Sequence, residues 1–158
     1  MVAKTRKPTV KDLRPIALTN VGYKLMMAVI RNSIEEHARI NGLGKDTQTG
    51  FTEGSRIENN LFVLRYFVEK SFKIKKPLIV ISVDFAKPFD IIKRVSLVEV
   101  LKNNKINPKV IDFIAGVYTG DRTKVEIGIG EEVEIEVKSG IRQGCTASTT
   151  LFKLISSR

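Results

Sequence analysis

The run LIVISVD, from Leu78 to Asp84, constrains the fold more than any other stretch of the chain. It is almost continuously apolar and rich in β-branched side chains. A strand with one wet face alternates apolar and polar residues, so an unbroken run of this kind predicts a strand buried on both faces, in the middle of a sheet. Asp84 then stands at the C-terminal end of a central strand, where a fixed carboxylate at the rim of a crevice is well placed to ligate a metal. The other reading of Asp84 is a carboxylate that caps the following turn or helix.

The rest of the chain supplies helices and one hairpin. LRPIALTN predicts a short strand and then a helix capped at Thr19 or Asn20, with Leu25, Val29 and Ile30 at helical spacing, ending near Arg39 before the NGLG break. Ser55 followed by Glu58 has the pattern of a capping box, opening a helix to about Ser71 with Ile57, Leu61, Leu64 and Val68 on one face. Helical patterns recur from Ile91 to Asn103, and from Asn107, where Pro108 fits the first helical position, through Val110, Ile111, Ile114 and Val117. In TKVEIGIGEEVEIEVK, Val125, Ile127 and Ile129, then Val133, Ile135 and Val137, alternate with charges and predict a half-buried hairpin. The last segment runs from the glycine-flanked loop SGIRQG into the start of a helix, whose N-terminus attracts phosphate. The class is α+β.

At 158 residues and 42% hydrophobic, the chain can bury one sizeable core, which suggests a single domain. Residues 1 to 12 read as an exposed basic arm carrying Lys4, Arg6, Lys7 and Lys11. A net charge of +10, from 27 basic and 17 acidic residues, favours a polyanion such as RNA or DNA, although a lysine-rich surface also simply aids solubility. Cys145 and His37 are the sole cysteine and histidine, so neither an internal disulfide nor a cysteine/histidine zinc site can form. Any metal would sit on carboxylates and be a hard ion such as magnesium. No apolar run approaches the roughly 20 residues of a membrane span, and the N-terminus lacks a signal peptide's apolar region. The expectation is a soluble intracellular protein without a membrane partner, cytoplasmic or nuclear.

Four stretches follow one another: DLRPIALTNVGYK, QTGFTEGS, VDFAKPFD and SGIRQGCTASTTLF. In sequence and spacing they resemble the fingers motif, the Q-x-G-F motif, the first palm aspartate motif and the R-Q-G motif of reverse transcriptases from non-LTR retrotransposons and the related group II intron enzymes. The resemblance runs from about Leu13 to the end of the chain. It implies residues 13–158 as the fingers and partial palm of a right-hand polymerase fold, an antiparallel sheet covered by helices.

For the family, the resemblance implies attack of a DNA primer's 3′-hydroxyl on a deoxynucleoside triphosphate, directed by an RNA template. Two magnesium ions are held by three aspartates. Asp84 matches the first of these, and Phe85 the residue whose backbone carbonyl helps ligate metal. Phe89 matches the aromatic gate against a ribose 2′-hydroxyl, with a plain core role as its alternative. Arg142, Gln143 and Gly144 match the loop lining the nucleotide. Arg14 matches a fingers position facing the triphosphate, or is a surface base paired with the acidic hairpin. Asp90 ends the palm motif without ligating metal and reads as a cap for a helix starting at Ile91.

The chain also departs from the pattern. Asp12, Asp46, Asp84, Asp90, Asp112 and Asp121 are its only aspartates, no two are adjacent, and no acidic residue follows Glu136. The family's second and third aspartates, from a Tyr/Phe-x-Asp-Asp turn, are therefore missing, and the chain is expected to be a fragment that does not polymerise alone, with an open palm sheet edge prone to self-association. Pro88 stands where the family usually has alanine, removing one N–H donor and biasing Lys87 toward extended backbone. Thr52 stands where many relatives carry arginine. A non-catalytic RNA- or DNA-binding module and an inert retroelement remnant are the alternative readings.

Overall fold

The computed structural model describes residues 2–3, 13–14, 16–43, 49–52, 54–128 and 130–157. Its elements are β1 (Val2–Ala3), β2 (Leu13–Arg14), α1 (Val21–Asn41), α2 (Ile57–Ile74), α3 (Arg94–Asn103), α4 (Pro108–Tyr118), β3 (Arg122–Gly128), β4 (Glu131–Glu136) and α5 (Ser148–Ser156). The chain is a mixed α+β structure with two small antiparallel pairs, β1 with β2 and β3 with β4. Lys4, Arg6, Lys7 and Lys11, and the side chains of Arg14, Ile127 and Ile129, lie outside the described residues.

Local sequence signals explain three of the helix ends. Asn20 caps α1 by accepting a hydrogen bond from the Tyr23 amide at 2.7 Å, and Gly42 closes it with a left-handed φ of 64°. Asn107 caps α4 through the Lys109 amide at 2.9 Å, with Pro108 in the first turn as expected. Apolar side chains of α3, α4 and α5 and the second half of α1 converge on one core, in which Ile34, Leu97, Leu101, Ile114 and Leu151 are fully buried. Each such side chain contributes roughly 1.5–3 kcal/mol through removal from water. A smaller cluster of Met27, Cys145 and Ala147, flanked by Tyr23 and Phe113, joins the start of α1 to the segment before α5.

Four expectations are corrected. Residues 78–84 form no strand, buried or otherwise: no described strand pairs with them, and Ile79 and Ile81 are 83% and 82% exposed. The physical reason is that a doubly buried strand needs strands on either side and a layer on each face, whereas the only long described strands pair with each other. Among the described residues the predicted sheet covered by helices is thus reduced to two-stranded ribbons. Helix α2 begins one residue later than the capping box requires: Arg56 occupies the cap without a side-chain hydrogen bond, and no residue of the helix is buried. Helix α3 starts at Arg94 rather than Ile91, because residues 88–91 form a turn, so Asp90 does not cap it. The expected hairpin forms, with Val125 opposite Val133, yet every residue of β4 is exposed, since a two-stranded ribbon has no second layer to press its apolar face upon.

Candidate functional site

The palm-motif turn begins at exposed Asp84 and Phe85 and folds back on itself, the amide of Asp90 donating to the Lys87 carbonyl at 3.0 Å. Lys87 has φ 50°, left-handed rather than the extended backbone expected before Pro88, because this tight turn must reverse the chain. Phe89 is half-buried and stacks on Phe152 of α5, ring centroids 4.8 Å apart, so it anchors the turn to the core. Asp90 accepts a hydrogen bond from the Gln143 side-chain amide at 3.1 Å.

The R-Q-G loop, residues 139–145, docks along this turn. The amide of Ile141 donates to the Phe89 carbonyl at 3.0 Å and that of Gly140 to the Ile92 carbonyl at 2.8 Å. On its far side the amide of Ala17, from the fingers motif, donates to the Gln143 carbonyl at 2.8 Å. The flanking glycines serve these contacts. A Cβ on Gly140 would lie 3.0 Å from the backbone of Phe89 and Asp90, and one on Gly144 would lie 2.8 Å from the Ala17 carbonyl oxygen. Both residues also have positive φ, 85° and 97°. The close approach they permit is to the chain's own backbone. Segments far apart in sequence, 16–20, 84–92 and 139–145, are thereby brought to one place.

Arg142 does not project freely from the loop. Its guanidinium bonds the carboxylate of Asp121 and lies over the Tyr23 ring at 5.1 Å. Arg94, in the first turn of α3, holds the other oxygen of that carboxylate at 2.7 Å. A cavity of about 240 Å³ lies between loop and hairpin, its polar wall formed by Asp90, Arg94, Asp121, Arg142 and Gln143. A wider groove of about 740 Å³ runs between residues 16–20 and β3, where Asn20 and the ion-paired Arg122, Lys124 and Arg142 stand beside Glu126 and Glu132.

Sequence reasoning named Arg142, Gln143, Gly144, Phe89 and Asp90 around this place and missed Asp121, Arg94 and Tyr23. The partners of Asp121 lie 27 and 21 residues away, so nothing in its local sequence signals them. Its position between a helix-ending glycine and the first hairpin strand was the one available hint. For metal, the geometry is unfavourable: among the described residues no three His, Cys, Asp or Glu side chains are grouped to hold an ion. Asp84 faces solvent, and Asp121 is already saturated by two guanidinium groups. The residues present do not fit a pair of magnesium ions.

No helix is long and apolar enough to cross a membrane among the described residues. No solved structure matches the chain. Curated relatives do. The chain is 25% identical over 142 residues to a retrovirus-related Pol polyprotein from the type-1 retrotransposable element R2 of Nasonia vitripennis, covering 90% of this chain and 14% of that protein. It is 23% identical to the Transposon TX1 uncharacterized 149 kDa protein of Xenopus laevis, covering 92% of this chain and 11% of the relative. It is 22% identical to the Pol polyprotein of the type-2 element R2DM of Drosophila melanogaster, covering 94% and 14% respectively. The chain thus spans a small part of the length of these proteins. The family model for reverse transcriptase (RNA-dependent DNA polymerase) matches residues 5–158, nearly the whole sequence. The chain belongs to the reverse transcriptase family, and its relatives are of the non-LTR retrotransposon type.

Proposed function

We propose that the chain is a fingers and first-palm portion of an RNA-directed DNA polymerase, which engages RNA template and DNA primer and does not extend the primer alone. The observation that carries this reading is the meeting of the fingers, palm and R-Q-G motifs through the backbone bonds at Ala17, Phe89 and Ile92. In this reading Asp84 and the Phe85 carbonyl form one corner of a metal site that needs further carboxylates from elsewhere. Phe89, Gln143 and Gly144 line the deoxynucleoside triphosphate, with Arg142 holding the loop behind them and Arg14 facing the triphosphate from the fingers. Lys4, Arg6, Lys7 and Lys11 contact nucleic-acid phosphates.

One carboxylate cannot displace enough water from magnesium to hold two ions, so this set of side chains binds and orients rather than catalyses. The net charge of +10 supports the binding half of the proposal.

Titration of a labelled RNA–DNA primer–template at several salt concentrations, followed by primer extension with magnesium and deoxynucleotides, tests both halves. Binding that weakens steeply with salt, without extension, is the expected result. Absent or salt-independent binding overturns the nucleic-acid reading, and robust extension overturns the claim that the chain is inactive alone.

A further inference from the structure

We infer that Asp121 is a positioning residue for the R-Q-G loop. Its carboxylate clamps Arg142 and Arg94 together, so that the loop is held against the palm-motif turn and Gln143 reaches Asp90. The inference rests on the reading that this turn and loop line a nucleotide.

The Asp121 side chain is only 1% exposed, at the junction between α4 and β3. A carboxylate so far from water needs partners on both oxygens, and each oxygen takes a guanidinium from a different element. Arg94 also donates to the carbonyls of Tyr118 at 2.8 Å and Gly140 at 3.2 Å, fixing the start of the loop directly. Arg142 sits at the loop's centre, and the next residue, Gln143, carries the hydrogen bond to Asp90 and the backbone bond from Ala17. Asp121 further accepts the Val137 amide on its own carbonyl at 2.8 Å, which ties the base of the hairpin to the same point. The side-chain bonds that join α3 and the loop to the α4–β3 junction thus run through one buried carboxylate or through the arginines that it orients. Arg142, held between that carboxylate and the Tyr23 ring, is turned away from the role of a free cation.

The test is Asp121→Asn, which keeps shape and removes charge, read by amide hydrogen exchange and by titration with magnesium dATP. If Asp121 positions the loop, the amides of Ala17, Gly140 and Ile141 exchange about tenfold faster or more, while those of Ile111 and Ile114 in α4 are unchanged. The variant then binds dATP about tenfold more weakly than the parent. Arg142→Lys keeps the positive charge but loses the planar two-sided grip, and it shows the same loop-selective pattern; it carries the test if Asp121→Asn does not fold. Uniform acceleration of all these amides, or none, overturns the inference. Loop-selective exchange in a protein whose parent binds no dATP supports the positioning role and overturns the nucleotide reading instead.

Discussion

At the scale of single residues, the site depends on side chains that are absent as much as on those present. Gly144 is the clearest case, since any Cβ would press on the Ala17 carbonyl oxygen at 2.8 Å while the backbone stays at φ 97°. Gly144→Ala must either move residues 16–17 or open the loop, and backbone strain of this kind costs on the order of 1–3 kcal/mol. The expected outcome is a fall in the denaturant midpoint with an unchanged slope, whereas an unchanged midpoint would show that the contact yields freely. Tyr23 offers a prediction in pH. Its phenol is pushed up, chiefly by burial and then by its hydrogen bond to the Cys145 thiol at 3.5 Å, and the Tyr118 phenol is pushed up chiefly by burial. In the folded protein both keep their protons where an unfolded tyrosine ionises, near pH ~10. The unfolded chain then binds fewer protons, so these groups leave stability untouched below that range and lower it as pH rises further, up to the folded values. Melting followed by circular dichroism should fall above about pH 10, and Tyr23→Phe should flatten the fall.

At the scale of elements, the helices whose ends carry their own chemistry were legible and those whose ends depend on distant contacts were not. Asn20, one of the two candidates, and Asn107 cap α1 and α4, because a cap is satisfied by amides two or three residues away. The start of α3 was misread because the palm-motif turn closes through Lys87, and Asp90 is drawn to Gln143, 53 residues on, rather than to the amides after it. The alternation showed the hairpin and which residues share a face, but burial is a property of what lies over a sheet, and no alternation reports that. Apolar character along LIVISVD likewise marked a segment that needs strand neighbours without naming where they come from. At α2 the pattern Ser55 to Glu58 was present and unused, leaving Arg56 at the cap with no side-chain bond. Replacing it should therefore stabilise the helix: Arg56→Asp supplies an acceptor to the free amides and a negative charge at the positive end, worth about 1 kcal/mol. The gain should appear as raised helicity and a higher melting temperature, and no change would mean that the cap is already met by water as well as by a carboxylate.

At the scale of the whole molecule, two surfaces of opposite character stand on one chain. A net charge of +10 opposes contact between copies and favours the polyanionic partner proposed above. Residues 78–85, by contrast, expose Ile79, Val80, Ile81, Val83 and Phe85 on a backbone that no described strand pairs, and α2 likewise exposes Leu61, Phe62, Phe67 and Phe72. Unpaired backbone flanked by apolar side chains is a template for pairing between copies. Salt separates the two tendencies. It screens repulsion between like-charged copies over a length of about 10 Å at 0.1 M, and so promotes self-association, while the same salt weakens phosphate contacts and releases nucleic acid. Sedimentation of the free protein should therefore show mass rising with both concentration and salt, as RNA–DNA affinity falls. Ile79→Lys combined with Ile81→Lys should abolish the mass increase by placing charges along the open segment, and should leave the affinity for nucleic acid unreduced. Association that weakens with salt, or that survives the double substitution, would place the contact on another surface and leave the exposed run without this consequence.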